Sequence, residues 1–258
     1  MTMPRLFQTA ALISALVLSS GALLAQERSF NFSLRGGAAL VPEYPGSDDY
    51  EVAPDLGFRF GAFNWGRVNI GNGIGNIPDN GFAVGGAFRV IGSRDAADNP
   101  ELAGLEDIDT TVELGIGVAY RQTNWLAFGE VRHGIGGHEG VTGTVGADVI
   151  LRPTSRLTVT AGPRLYLGND EYAGTYFGIT GTEAAASQFS QFNAEGGLLG
   201  AGFQVQGTYE LDDKWSVEGL LSYERLQNDA ADSPITQLGS EDQWRLSIGL
   251  SRAFNLRF

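Results

Sequence analysis

The chain has no cysteine. That removes disulfide staples, thiolate nucleophiles and cysteine-based zinc sites, and it removes a lipid-anchoring cysteine as well. Lysine is nearly absent: Lys214 stands alone, and every other cation is an arginine. Arginine offers carboxylates a fixed fork, whereas lysine is a mobile, solvated charge. The bias therefore points to ordered ion pairs. Positive charge is also scarce overall. A net charge of −13 argues against a nucleic-acid partner bound through a basic face. Past Leu24 no run approaches the roughly 18 apolar residues of a membrane-spanning helix.

What is present fits strands and turns. Glycine is abundant, at 37 residues, with no collagen-like period. The start, "MTMPRLFQTAALISALVLSSGALLAQERSF", has a lone cation, Arg5, then an apolar run from Ala10 to Leu24, and no acid before Glu27. It reads as a secretory signal peptide over 1–25, with cleavage after Ala25, or after Ala22 as second choice. Residues 26–258 then form the exported unit.

From Ser29 onward the dominant signal is period two. "VELGIGVAY" sets Val112, Leu114, Ile116, Val118 and Tyr120 on one face against Glu113, Gly115, Gly117 and Ala119. "QWRLSIGLSRAF" sets Trp244, Leu246, Ile248, Leu250 and Phe254 against Arg245, Ser247, Gly249 and Ser251. The alternation runs for ten or more residues, the length of a tilted membrane strand and longer than a typical strand of a soluble sandwich. The bulky face suits lipid and the small, polar face suits a lumen.

Twelve strands are expected, at about 30–41, 52–62, 66–71, 74–78, 81–92, 110–121, 125–133, 141–151, 156–168, 197–211, 214–226 and 242–258. Tight turns near Trp65 and at 121–124, 152–155 and 211–214 alternate with long polar loops at 42–50, 93–108, 133–140, 168–193 and 228–241. Short turns on one side and long loops on the other describe a transmembrane antiparallel β-barrel, with the turns periplasmic and the loops external. Phe63 with Trp65, Tyr120 with Trp125, and Tyr209 with Trp215 bracket three tight turns as an interface girdle. The last strand is expected to pair with the first, which removes both edges. Its alternating Phe254, Leu256 and Phe258 look like a signal for the outer-membrane barrel assembly machinery. Lipid and lipopolysaccharide are the surroundings this implies.

Several segments resemble the MipA/OmpV family of Gram-negative outer-membrane proteins. They are "PEYPGSDDYEVAPD" (42–55), "ELAGLEDID" with "ELGIGVAY" (101–120), "VRHGIGGHEG" (131–140), "YFGIT" (176–180) and "ERLQNDAADSPI" with "GSEDQW" (224–244). The resemblance implies an outer-membrane barrel. In one branch it implies a non-enzymatic scaffold that bridges a lytic transglycosylase and a peptidoglycan synthase. Other branches are porin-like or adhesive. The family brings no catalytic residues and no cofactor.

Four groups of residues are candidates for chemistry. His133, His138 and Glu139, in "HGIGGHEG", are weak metal candidates, and a glycine-rich external loop is the plainer reading. A histidine-centred hydrolase site would need a nucleophile motif that the sequence lacks. Asp48, Asp49 and Glu51 could attract calcium but suit a solvated acidic loop better. The strand phases send Asp55, Glu113, Glu130, Asp148, Glu218 and Glu224 into the lumen. They send Arg59, Arg89, Arg121, Arg132, Arg164 and Arg245 there too. Matched pairs would plug the lumen, whereas segregated rings would select ions. Three roles follow as expectations: scaffolding of cell-wall enzymes, passage of small solutes, or adhesion through the loop at 168–193.

Overall fold

The computed structural model describes residues 28–65, 68–71 and 80–258. The expected signal peptide and the strand expected at 74–78 lie outside them. The strands are β1 (Ser29–Pro42), β2 (Tyr50–Trp65), β3 (Val68–Gly71), β4 (Gly81–Ile91), β5 (Thr111–Arg121), β6 (Trp125–Gly136), β7 (Val141–Leu151), β8 (Leu157–Gly168), β9 (Gly197–Glu210), β10 (Trp215–Leu226) and β11 (Asp242–Arg257). Four short helices sit in the loops: α1 (Asp170–Phe177), α2 (Gly181–Ala186), α3 (Asp229–Asp232) and α4 (Pro234–Leu238).

All eleven described strands form one antiparallel sheet, in the order β3-β2-β1-β11-β10-β9-β8-β7-β6-β5-β4. Of the expected twelve, the described residues hold ten long strands and the four-residue β3. First and last strands do pair, with Ser29 opposite Arg257 and Leu40 opposite Leu246. Beyond the short β3, β2 runs beside β4, so the sheet curls into a nearly closed barrel. Pairing β1 with β11 satisfies backbone groups that would otherwise be orphaned in lipid.

The side chains are arranged inside out. Leu114, Ile116 and Val118 on β5 and Leu246, Ile248 and Leu250 on β11 point outward and are exposed. Between them, Glu113, Ser247 and Ser251 are buried. A soluble barrel would place the bulky face inside. Here only a lipid environment removes that face from water.

The apolar core lies in the loops, not the lumen. Tyr172, Tyr176 and Phe177 of α1 pack with Ala230 of α3 and with Leu199 and Leu226 at the ends of β9 and β10. A second cluster joins Tyr44, Leu102, Leu105, Ile179, Phe189 and Ile235. Fully buried apolar chains such as Phe177, Leu102 and Ile235 each contribute about 1.5–3 kcal/mol. Together these segments make a folded cap over the loop-side mouth. That corrects the expectation of long polar loops: they are polar in composition, but their few large apolar residues converge.

One boundary also moves. The segment 133–140 was expected to be a long loop, yet β6 continues to Gly136 and only 137–140 connects it to β7. The glycines that suggested a loop lie in the ladder, Gly134 opposite Glu113 and Gly136 opposite Thr111. Gly136 needs its φ of +110° to leave the strand.

Candidate functional site

Glu113 is the centre of the lumen beneath the cap. It is the third residue of β5, so alternation turns it inward just below the loops. Its side chain is fully buried and accepts from four others. Arg89 grips it with Nε at 2.7 Å and a terminal nitrogen at 2.6 Å. Arg132 donates at 3.0 Å and Thr142 at 3.1 Å. His138 Nε2 lies 3.2 Å away. Arg132 also reaches Glu130 at 2.5 Å and Thr144 at 2.7 Å.

The backbone sets the tautomer of His138. Its Nδ1 accepts the Gly140 N–H at 3.0 Å. The proton therefore sits on Nε2 and is donated to Glu113. Gly134 makes room for this ring, since a Cβ there would fall 2.2 Å from His138 Cε1. Above it, Tyr172 and Tyr176 stack edge-on against the imidazole at 5.1 and 5.6 Å. Tyr172 also lies under the Arg89 guanidinium at 5.8 Å, and burial pushes its hydroxyl up to about 12. The cap is thus fastened to the lumen through one histidine and two tyrosines.

Two further groups lie across the lumen. Arg164 holds Asp148 bidentately at 2.8 and 3.0 Å and sits over the Phe128 ring. Asp55 is gripped by Arg245 at 2.7 Å and by Arg35. Glu218 is held only loosely, by Arg59 at 3.5 Å, Gln206 at 3.4 Å and Arg35 at 3.8 Å. A cavity of about 160 Å³ opens beside it, lined by Ser33, Arg35, Arg59, Gln206 and Ser251 among others.

Ten of the twelve lumen charges expected from the sequence stand in these three groups. Glu224 and Arg121 do not. Glu224 points inward with no ion pair among the described residues. Arg121 has no carboxylate partner among the described residues and lies close enough to Arg152 to be repelled by it. Arg35 was missed, although "FNFSLR" carries its signal: Phe30, Phe32 and Leu34 alternate outward, so Arg35 must turn inward. Nothing in sequence spacing pointed to Tyr172 and Tyr176, which reach the site through the cap.

The metal candidates part company. His133 is exposed on the outer face of the barrel, His138 is buried inside, and Glu139 is exposed in the connection. Among the described residues no three His, Asp or Glu side chains converge to hold a metal. Asp48, Asp49 and Glu51 are all exposed.

The aromatic residues expected as a girdle gather at the turn end. Phe63 packs on Trp65, Trp65 on Phe258, and Tyr120 on both Phe82 and Trp125. Tyr209 and Trp215 are exposed on the same rim. Phe254 stacks on Phe32 at 5.0 Å, and Leu256 and Phe258 stay exposed on the outer face. Arg28 and Arg252 lie over Trp65 and Trp215, at 4.3 and 5.1 Å.

The sequence pattern of the MltA-interacting protein MipA matches residues 34–254. Among solved structures, the chain is similar to an outer membrane channel from Pseudomonas putida F1, with 11% identity and a TM-score of 0.45, covering 90% of this chain and 97% of that one. It is also similar to a toluene transporter, TbuX, from Ralstonia pickettii, with 11% identity and a TM-score of 0.30, covering 92% and 90%. The attachment invasion locus protein Ail of Yersinia pestis aligns with 12% identity and a TM-score of 0.27, covering 88% of this chain and 99% of that one. No curated protein matches the sequence.

Proposed function

The chain belongs to the family of the MltA-interacting protein MipA, and from that premise we propose that this outer-membrane barrel is a non-enzymatic scaffold holding peptidoglycan-remodelling enzymes at the membrane's inner face. The partners would be a lytic transglycosylase, as the family description suggests, and a peptidoglycan synthase. The observation that carries this reading is the folded cap. Tyr172 and Tyr176 clamp it onto a lumen already filled, at Glu113, by side chains bonded to one another. A barrel roofed this way serves better as a rigid anchor than as a conduit.

The turn end supplies the docking face. Arg156, Lys214 and Arg257 are exposed there beside Asp212 and Asp213. Each turn offers little area, so a partner must span several at once to reach the roughly 800 Å² per side of a stable interface. A second reading, passage of a small solute, draws on the polar lumen and its cavity.

Both readings meet in one pair of measurements. A photo-cross-linker placed at Thr154 or Asp213 is expected to capture the lytic transglycosylase in cells, and one at Gln188 in the cap is not. The refolded barrel is expected to be silent in a planar bilayer. Capture from the cap alone, or steady openings from barrels shown to be folded, would overturn the scaffold in favour of the other roles.

A further inference from the structure

The three lumen groups differ in their charge balance. Glu113 and Glu130 match Arg89 and Arg132, and Asp148 matches Arg164. The third group sets Asp55 and Glu218 against Arg35, Arg59 and Arg245, an excess of one positive charge among the described residues. The same group borders the cavity of about 160 Å³. Excess charge and free space therefore coincide.

The most weakly paired of these cations is Arg59. Arg35 and Arg245 both commit to Asp55. Among the described residues Arg59 pairs only with Glu218, at 3.5 Å, and its side chain is 57% exposed. A guanidinium makes its strongest contacts as a bidentate fork on a carboxylate, and among the described residues Arg59 meets its carboxylate through one terminal nitrogen alone. Around it stand further polar groups with capacity to spare: the hydroxyls of Ser33 and Ser251 and the amide of Gln206, which meets Glu218 only at 3.4 Å. Leu220 adds an apolar wall. A polar recess with one apolar side and a loosely paired guanidinium is matched to a small organic acid.

We propose that this recess binds the carboxylate of an amino-acid-sized acid, with Arg59 gripping the carboxylate, Ser33, Ser251 and Gln206 orienting it, and Glu218 restraining affinity by competing for Arg59. The cavity admits a few heavy atoms, so the ligand is a free small acid or the last residue of a peptide. The site stands on its own, independent of the scaffold reading.

The test uses the full barrel refolded in detergent micelles, with its heat-modifiable gel shift as the measure of folding. Saturation-transfer NMR is run with N-acetylalanine, with its uncharged amide, and with a blocked dipeptide that has a free C-terminus. The acid is expected to bind saturably and the amide not at all. Arg59→Gln should weaken binding by about tenfold or more, the worth of a charge-assisted contact. Glu218→Gln should strengthen it several-fold, because it removes the competitor. Binding of the dipeptide as well would identify a peptide end as the ligand, and binding of N-acetylalanine alone would identify a free acid. Equal transfer to acid and amide, or affinity unchanged in either variant, would overturn the proposal. Should Arg59→Gln fail to fold, the amide control and Glu218→Gln decide it.

Discussion

Glu113 shows what one inward residue must satisfy in this barrel. A carboxylate with no exposure loses its hydration and is tolerable only if its lone pairs are filled. Arg89, Arg132, His138 and Thr142 fill them. Removing the acid leaves two guanidiniums facing each other with no carboxylate between them. Glu113→Ala is therefore expected to cost about 3–5 kcal/mol, read by urea unfolding in lipid vesicles. Glu113→Gln keeps one acceptor oxygen and should cost less. Equal losses for the two would mean that packing, rather than charge, sets the stability there. The glycines near this site matter for space more than for flexibility. Gly134 lets the His138 ring lie against the strand, and its substitution would push the imidazole off Glu113.

At the scale of elements, strands and cap draw on different physics. The strands are held by backbone ladders and by lipid around their outer face, whereas the cap is held by its own small apolar cores and by helix ends. Asn169 caps α1 by accepting the Tyr172 N–H at 3.1 Å. Thr180 and Glu183 form a reciprocal capping box on α2. Glu183 also accepts the Glu106 N–H at 3.0 Å, which ties α2 to the loop before β5. Burial opposes its charge, but those N–H groups, the Thr180 hydroxyl and Arg94 outweigh it and hold the carboxyl below its ordinary value. A carboxyl lowered on folding stabilises the cap at pH above its unfolded value, and that contribution is lost as the pH falls through the lowered one. Amide protection in α2, relative to the intrinsic exchange rate at each pH, should therefore fall on acidification below the ordinary glutamate range while protection in the strands holds steady. The same cap can be loosened from its centre. Tyr176→Ala removes a side chain packed on His138 and bonded to Thr111 at 3.3 Å. Protease cleavage within 169–196 is expected to appear, with the gel shift of the barrel retained. Resistance equal to that of the unaltered protein would mean that the apolar core around Ile235 holds the cap alone.

The whole molecule is electrically polarised. Acids crowd the loop end, at Asp48, Asp49, Asp95, Asp98, Glu171 and Asp229 for example, with few cations beside them. The lumen is close to balanced. The turn rim carries Arg28, Arg121, Arg152, Arg156, Lys214 and Arg257 against Glu210, Asp212 and Asp213. The net −13 is therefore not spread over the surface. A partner at the turn end meets a rim with more cations than acids, and one at the loop end meets a negative field. A partner docked at the turn end, as proposed, is therefore expected to bind less tightly as salt rises, since exposed charges are screened within about 8–10 Å at physiological salt.

Alternation alone determined which face of each long strand meets lipid, and so the barrel and most of its inward charges. The reason is that a period-two backbone leaves each side chain only two directions. Glycine in "HGIGG" misled because the same residue permits a tight connection and a close ladder. Only the tertiary structure decided the rest. Spacing could not pair Asp55 with Arg245 across the β1–β11 closure, nor leave Arg59 loosely paired. Nor could it bring Tyr172 and Tyr176 down onto His138. These contacts join residues far apart in the chain: strand closure through β1 brings Asp55 to Arg245, and burial of the loops' scattered apolar side chains against one another brings Tyr172 and Tyr176 to His138.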